Sequence, residues 1–299
     1  MPEPAVPRGP GVMAALPRLA AVAGDWHGNA AWATRAIRRI SARLAAGEPH
    51  LIVHLGDFGV WPDASGVAYL GAVEAALADA GMELWFIDGN HEDHSMLARL
   101  PPGRDGLRRV SDRIWHIPRG HRWTWHGRTW LALGGAVSVD AAERVRGRDW
   151  WPEEEITPAQ AAAVAADGHA EVLVTHDCPA GVSHTFPPAP ASWSRADLAR
   201  NAAHRRRLQD VADAVRPRWL IHGHLHRSYQ RQVDMGWGAV EVTGFSRDGT
   251  LYGNWAILDA AEMRWQRFEG SFLAGLARNL GGRIRRTARS DGRPNTHSA

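Results

Sequence analysis

Hydrophobic positions come in short blocks along this chain, and their period switches between that of a strand and that of a helix. Arg18 to Gly24 (RLAAVAG) is apolar enough for a strand buried on both faces. Ala30 to Ala46 carries apolar residues near helical spacing until Gly47 ends the run. Leu51 to Leu55 predicts a second strand, about Gly66 to Ala80 a helix, and Leu84 to Ile87 a third strand. Strand–helix–strand repetition calls for parallel pairing and an α/β architecture.

The middle of the chain changes character. Ile114 to Ile117, Trp123 to Trp125 and Thr129 to Leu133 predict short strands, with His126-Gly127-Arg128 as a hairpin turn. A loop rich in charge and tryptophan runs from Gly134-Gly135 through Glu155. A helix near Pro158 to Ala166 precedes a buried strand at Val172 to Thr175. Residues 177–195 are proline-rich and aperiodic, which predicts a long loop of the kind that serves as a lid or binding element. A helix from about Arg195 to Val215 leads to a strand at Trp219 to His222. Strands at Ser228 to Val233, Val240 to Thr243, Asn254 to Leu258 and Arg264 to Phe268 suggest antiparallel closure. The expectation is one domain over residues 18–270, with two sheets and the helices outside. Residues 1–17 read as a proline-rich disordered leader and 271–299 as an arginine-rich disordered tail.

Composition changes this picture little. With 299 residues, 44% hydrophobic and 22% charged, the chain falls in the range of ordinary globular proteins. It contains no apolar run of 18 residues, so no membrane span is expected. One cysteine, Cys178, permits no intrachain disulfide and fits a reducing cytoplasm; a small buried residue is its simplest role. The net charge of +3 is uneven: residues 271–299 carry +5, leaving −2 for the rest. A whole-domain claim of nucleic-acid binding does not follow from the basic pI, although a polyanion-binding tail stays open.

Five polar clusters interrupt the apolar scheme, each just after a predicted strand. They are Gly24-Asp25-Trp26-His27, Gly56-Asp57, Gly89-Asn90-His91-Glu92, Thr175-His176-Asp177 and Gly223-His224-Leu225-His226. In open α/β sheets, reacting groups gather at the carboxyl ends of strands, so all five can meet at one rim. Carboxylate, imidazole and amide oxygen suit divalent manganese, iron or zinc. A carboxylate such as Asp57 can bridge two cations, and the glycines before Asp57, Asn90 and His224 allow close backbone approach. Two metals about 3.5–4 Å apart clamp a phosphate and generate a nucleophilic hydroxide.

In order, DxH, GD, GNHE, a strand-end His and GHxH resemble the calcineurin-like metallophosphoesterase superfamily, from Asp25 to His226. The resemblance implies a four-layer αββα sandwich of two mixed sheets flanked by helices. It implies that Asp25, His27 and His226 hold a first metal, that Asp57 bridges, and that Asn90, His176 and His224 hold a second. His91 would not ligate; it would stabilise the phosphoryl oxygen or protonate the leaving group while a metal-bridging hydroxide attacks in line. Two divalent ions, manganese first and iron or zinc otherwise, are the implied cofactors, and a phosphomonoester or phosphodiester the implied substrate.

Departures narrow the subfamily. The protein-phosphatase signature GDxxDRG is broken, because the segment reads Gly56-Asp57-Phe58-Gly59-Val60-Trp61-Pro62-Asp63. The segment Gly134 to Asp140, followed by Arg144 and Trp150-Trp151, is similar to a site-flanking loop in small bacterial and phage members. Arg144 could clamp a phosphate bidentately, and His184 is a second candidate for substrate contact. Trp26, Trp61, Trp150 and Trp151 are either core or walls of the pocket able to stack on a base. His50, His116, His121, His126, His169, His204 and His297 read as structural, and His54 and His222 as core or supporting groups. A nuclease using the basic tail on nucleic acid, and a non-catalytic interaction scaffold on the same fold, are the alternatives.

Overall fold

The computed structural model describes residues 16–44, 50–103, 105–183 and 193–268. The expected leader and tail, and His184, lie outside the described residues, apart from the leader's last two positions. Three apolar strands, β1 (Leu19–Ala23), β2 (His50–His54) and β3 (Met82–Phe86), pair in parallel through the helices α1 (Ala30–Ser41) and α2 (Ala64–Ala80). Asp63 opens α2 by accepting a hydrogen bond from the Gly66 N–H, which is why the helix begins earlier than its apolar pattern suggests. Helix α1 stops at Ser41, short of the expected Ala46, where the chain turns and lays Leu44 into the core.

A short helix α3 (His94–Arg99) and strands β4 (Arg108–Arg109) and β5 (Ile114–His116) complete this half. The hairpin β6 (Arg122–Trp125) and β7 (Arg128–Leu133) turns at His126-Gly127, and the second half follows. It contains α4 (Pro158–Ala166), β8 (Val172–Thr175), the single turn α5 (Ala180–Ser183), α6 (Arg195–Val215) and β9 (Trp219–His222). Strands β10 (Tyr229–Asp234), β11 (Ala239–Gly244), β12 (Trp255–Asp259) and β13 (Arg264–Phe268) close the chain.

One sheet runs β13-β12-β1-β2-β3-β5-β4 and the other β10-β11-β9-β8-β7-β6. Period-two alternation sorts their side chains into layers. Val22, Val53, Trp85, Trp130, Val174 and Ile221 meet between the sheets. Ala21, Ile52 and Phe86 face α1 and α2, while Leu131, Leu173 and Leu220 face α4 and α6. This is the four-layer αββα sandwich. The expected antiparallel closure is half right. Strands β10 and β12 pair antiparallel with their neighbours, but β11 inserts beside β9 in parallel, with Val242 opposite Leu220. Among the described residues, no helix is long and apolar enough to cross a membrane.

Candidate metal centre

The parallel strands of both sheets deliver their C-terminal loops to one rim, where backbone hydrogen bonds tie the loops together. Trp26 and His27 donate their N–H groups to the Asp57 carbonyl at 3.0 and 2.8 Å, joining the loops after β1 and β2. Glu92, fully buried, accepts from the N–H groups of Phe58 at 2.6 Å, Gly59 at 3.1 Å and Gly89, joining the loops after β2 and β3. Asp57 Oδ1 accepts from the N–H groups of Asn90 and His91 at 2.9 and 3.0 Å. The loops after β8 and β9 join through Gly223 N–H to the His176 carbonyl at 3.0 Å. The expected close approaches are present: a Cβ on Gly89 would stand 2.1 Å from Asp57 Oδ1, and one on Gly223 2.4 Å from Asp25 Oδ1.

Ligand-capable atoms of Asp25, His27, Asp57 and His226 lie within 4.8 Å of one another, and those of Asp57, His176 and His224 do likewise. Asp57 belongs to both groups, as a bridging carboxylate must. The Asn90 amide oxygen, 3.3 Å from His176 Nε2, joins the second group. The donor set fits divalent ions in another respect. Asp25 Oδ2 is buried and receives no hydrogen bond, with His226 Nε2 only 3.0 Å away. Carboxylates packed this closely against imidazoles need positive charge among them, supplied either by protons on the rings or by a bound cation. His176 Nδ1 donates to the Leu55 carbonyl at 2.6 Å, so its Nε2 lone pair faces the cluster.

His27, Asp57, His224 and His226 all have left-handed backbones, with φ between 46° and 60°. Each such conformation in a non-glycine residue costs about 1–3 kcal/mol, and the cross-linked loops hold it in place.

Electrostatics follow from two buried carboxylates side by side. Burial works to raise both, yet His226 and His176 hold Asp25 below the usual carboxylate range. His176 and His91 do the same for Asp57. Burial opposes protonation of His27 and His176, but the charge and hydrogen bonding of Asp57 push them up to about 9 and about 10. Metal uptake therefore competes with protons at these histidines and strengthens as pH rises.

His91 stands outside both groups, with Nε2 3.9 Å from Asp57 Oδ2. Burial, with the charges of Arg144 and His27, depresses it below the ordinary histidine value. It lines a cleft of about 390 Å³ beside Asp57, Asn90, His224 and His226, with Val137, Arg144, Trp193 and Arg205 among the remaining walls. The Arg144 guanidinium lies against the His91 ring, 2.9 Å from Nδ1 and 3.2 Å from Nε2, and holds Asp140 at 2.7 Å.

A family model of calcineurin-like phosphoesterases matches residues 19–228, the span that carries all five clusters. The chain belongs to the calcineurin-like phosphoesterase family. Solved structures similar to it include GAP50, the anchor in the inner membrane complex of Plasmodium, at 13% identity and a TM-score of 0.36, covering 80% of this chain and 79% of that one. No curated protein matches the chain significantly.

Around this calcineurin-like phosphoesterase site the structure adds supporting residues that the motifs did not reveal. Asp248 accepts from His27 Nδ1 at 3.0 Å and from Asn29 at 2.8 Å. Ser138 Oγ accepts from the Asn90 amide at 3.0 Å and donates to the buried Glu154 at 2.6 Å. Of the tryptophans considered as pocket walls, Trp26 and Trp151 are buried in the core. Trp61 donates to the His91 carbonyl at 2.6 Å, so it anchors the loop. His116 and His204 are buried and hydrogen-bonded to Asp88 and the Gly135 carbonyl. His54 packs edge-on against Trp26, 4.7 Å between centroids.

Proposed function

We propose that this chain is a two-metal phosphoesterase that hydrolyses a phosphomonoester or phosphodiester. The carrying observation is the pair of ligand groups that share Asp57 at the floor of the cleft containing His91. In this reading Asp25, His27, Asp57 and His226 hold one ion, and Asp57, Asn90, His176 and His224 the other. Manganese is the proposed occupant, with iron or zinc as substitutes. Once bound, the ions would supply Lewis acidity to the phosphoryl group and activate the attacking water. The residues do the rest. His91, held near neutrality of charge by burial and Arg144, offers a ring N–H to the phosphoryl or leaving-group oxygen. Glu92 and Asp57 fix its backbone, and Arg144 limits its rotation. The intact ligand set favours an enzyme over an interaction scaffold. A cytoplasmic setting belongs to the same proposal and rests on the buried free thiol of Cys178.

The test is hydrolysis of p-nitrophenyl phosphate and bis-p-nitrophenyl phosphate by manganese-loaded wild type, Asp57→Asn and His91→Ala. Asp57→Asn is expected to lose metal and activity together, and His91→Ala to keep metal while turnover falls about 10²–10⁴-fold. A wild type that takes up no metal and cleaves neither ester would sink the reading.

A further inference from the structure

Two arginines line the cleft, and their guanidinium groups are committed differently. Arg144 spends its terminal nitrogens on the Asp140 carboxylate, the Asp149 carbonyl and the His91 ring. Arg205, on α6, makes its hydrogen bonds through Nε alone, 3.1 and 2.9 Å from the two oxygens of Asp177. Among the described residues, neither of its terminal nitrogens has a hydrogen-bond partner. Asp177 is fully buried, directly follows the candidate ligand His176, and is fixed in turn by the Cys178 N–H at 2.7 Å. An arginine recruited only to neutralise a buried carboxylate pairs best through a two-nitrogen fork. Here Nε anchors the guanidinium, its terminal fork has no partner among the described residues, and Arg205 lines the cleft together with Asn90 and His224.

We propose that Arg205 is an anion-binding residue of the cleft, whose terminal fork takes two oxygens of a phosphate group while Asp177 sets its direction. This rests on the phosphoesterase reading for its ligand. A planar fork held at one edge matches phosphate in geometry and charge and loses little freedom on binding. Helix α6 thereby contributes a substrate contact from outside the motif loops.

The experiment measures binding of inorganic phosphate to manganese-loaded protein by calorimetry, with metal content checked in parallel. Arg205→Gln is expected to weaken phosphate about 10–100-fold and to raise KM for p-nitrophenyl phosphate comparably, with metal content unchanged. Arg205→Lys keeps a cation for Asp177 but loses the fork, and is expected to recover only part of the affinity. It also serves if the glutamine variant fails to fold. Wild-type phosphate affinity in either variant overturns the proposal, as does phosphate loss that merely tracks metal loss, or a wild type that binds no phosphate. Arg205-dependent phosphate binding without hydrolysis of either ester would uphold the arginine and overturn the phosphoesterase reading. Hydrolysis with Arg205-independent phosphate affinity would do the reverse.

Discussion

His27 turns its Nδ1–H onto the carboxylate of Asp248 at 3.0 Å, so that Nε2 faces Asp57 Oδ2 at 3.4 Å. The carboxylate fixes both the tautomer and the tilt of the ring, and Asn29 holds its other oxygen. Asp248→Ala is therefore expected to weaken manganese binding about 10–100-fold, read by competition with a chelator. Unchanged affinity would remove Asp248 from the metal site.

Asn90 is oriented from behind in a comparable way. Its amide N–H₂ points to Ser138, which is held by Glu154, leaving the amide oxygen toward His176. Ser138→Ala frees the amide to flip. The expected outcome is loss of one metal equivalent at limiting manganese while the other persists, measured by elemental analysis. Full occupancy of both equivalents in the variant would contradict this.

Glu92 bears on stability more than on chemistry. Its carboxylate accepts three buried backbone N–H groups from two loops. In Glu92→Gln the amide nitrogen faces an N–H donor, and at least one buried group loses its partner. A loss of about 1–3 kcal/mol is expected in urea unfolding of the metal-free protein.

The buried Asp88 predicts a specific acid limb. Burial works to raise it, but Arg119 at 2.6 Å and the neighbouring His116 and His94 hold it well below the usual carboxylate range. A carboxyl lowered by folding adds stability that is complete above its unfolded value of about 3.9 and is lost as pH falls below it. Asp88→Asn should flatten the stability profile between about pH 5 and 2, while costing about 3–5 kcal/mol at neutral pH by stranding Arg119. A variant whose acid limb matches wild type would count against this pairing.

Cys178 is fully buried and its thiol is pushed up by burial and by Asp177. It should resist a thiol reagent in the native protein and react at once in denaturant. Rapid native labelling would show that the region opens.

Local pattern along the chain was enough to place the layers of the fold and to single out the ligand candidates. The expected bounds of α4, β8, α6, β9 and β13 match the observed ones; Thr157 and Ser194 cap the two helices, and β8 and β9 are short apolar runs buried in the structure. The ligand candidates were legible because metal-capable side chains behind strand-end glycines form a local pattern. Tertiary structure decided the rest. Nothing local shows that β11 runs parallel to β9, since a hairpin strand can insert on either side of its neighbour. That choice carries the loop after β11 to the same rim and brings Asp248 to His27, 221 positions away in the chain. Arg205 and Glu154 were equally invisible, one in an ordinary helix and one in a charged loop. Their roles depend on which buried carboxylate or hydroxyl they meet, and only packing across the two sheets sets those meetings.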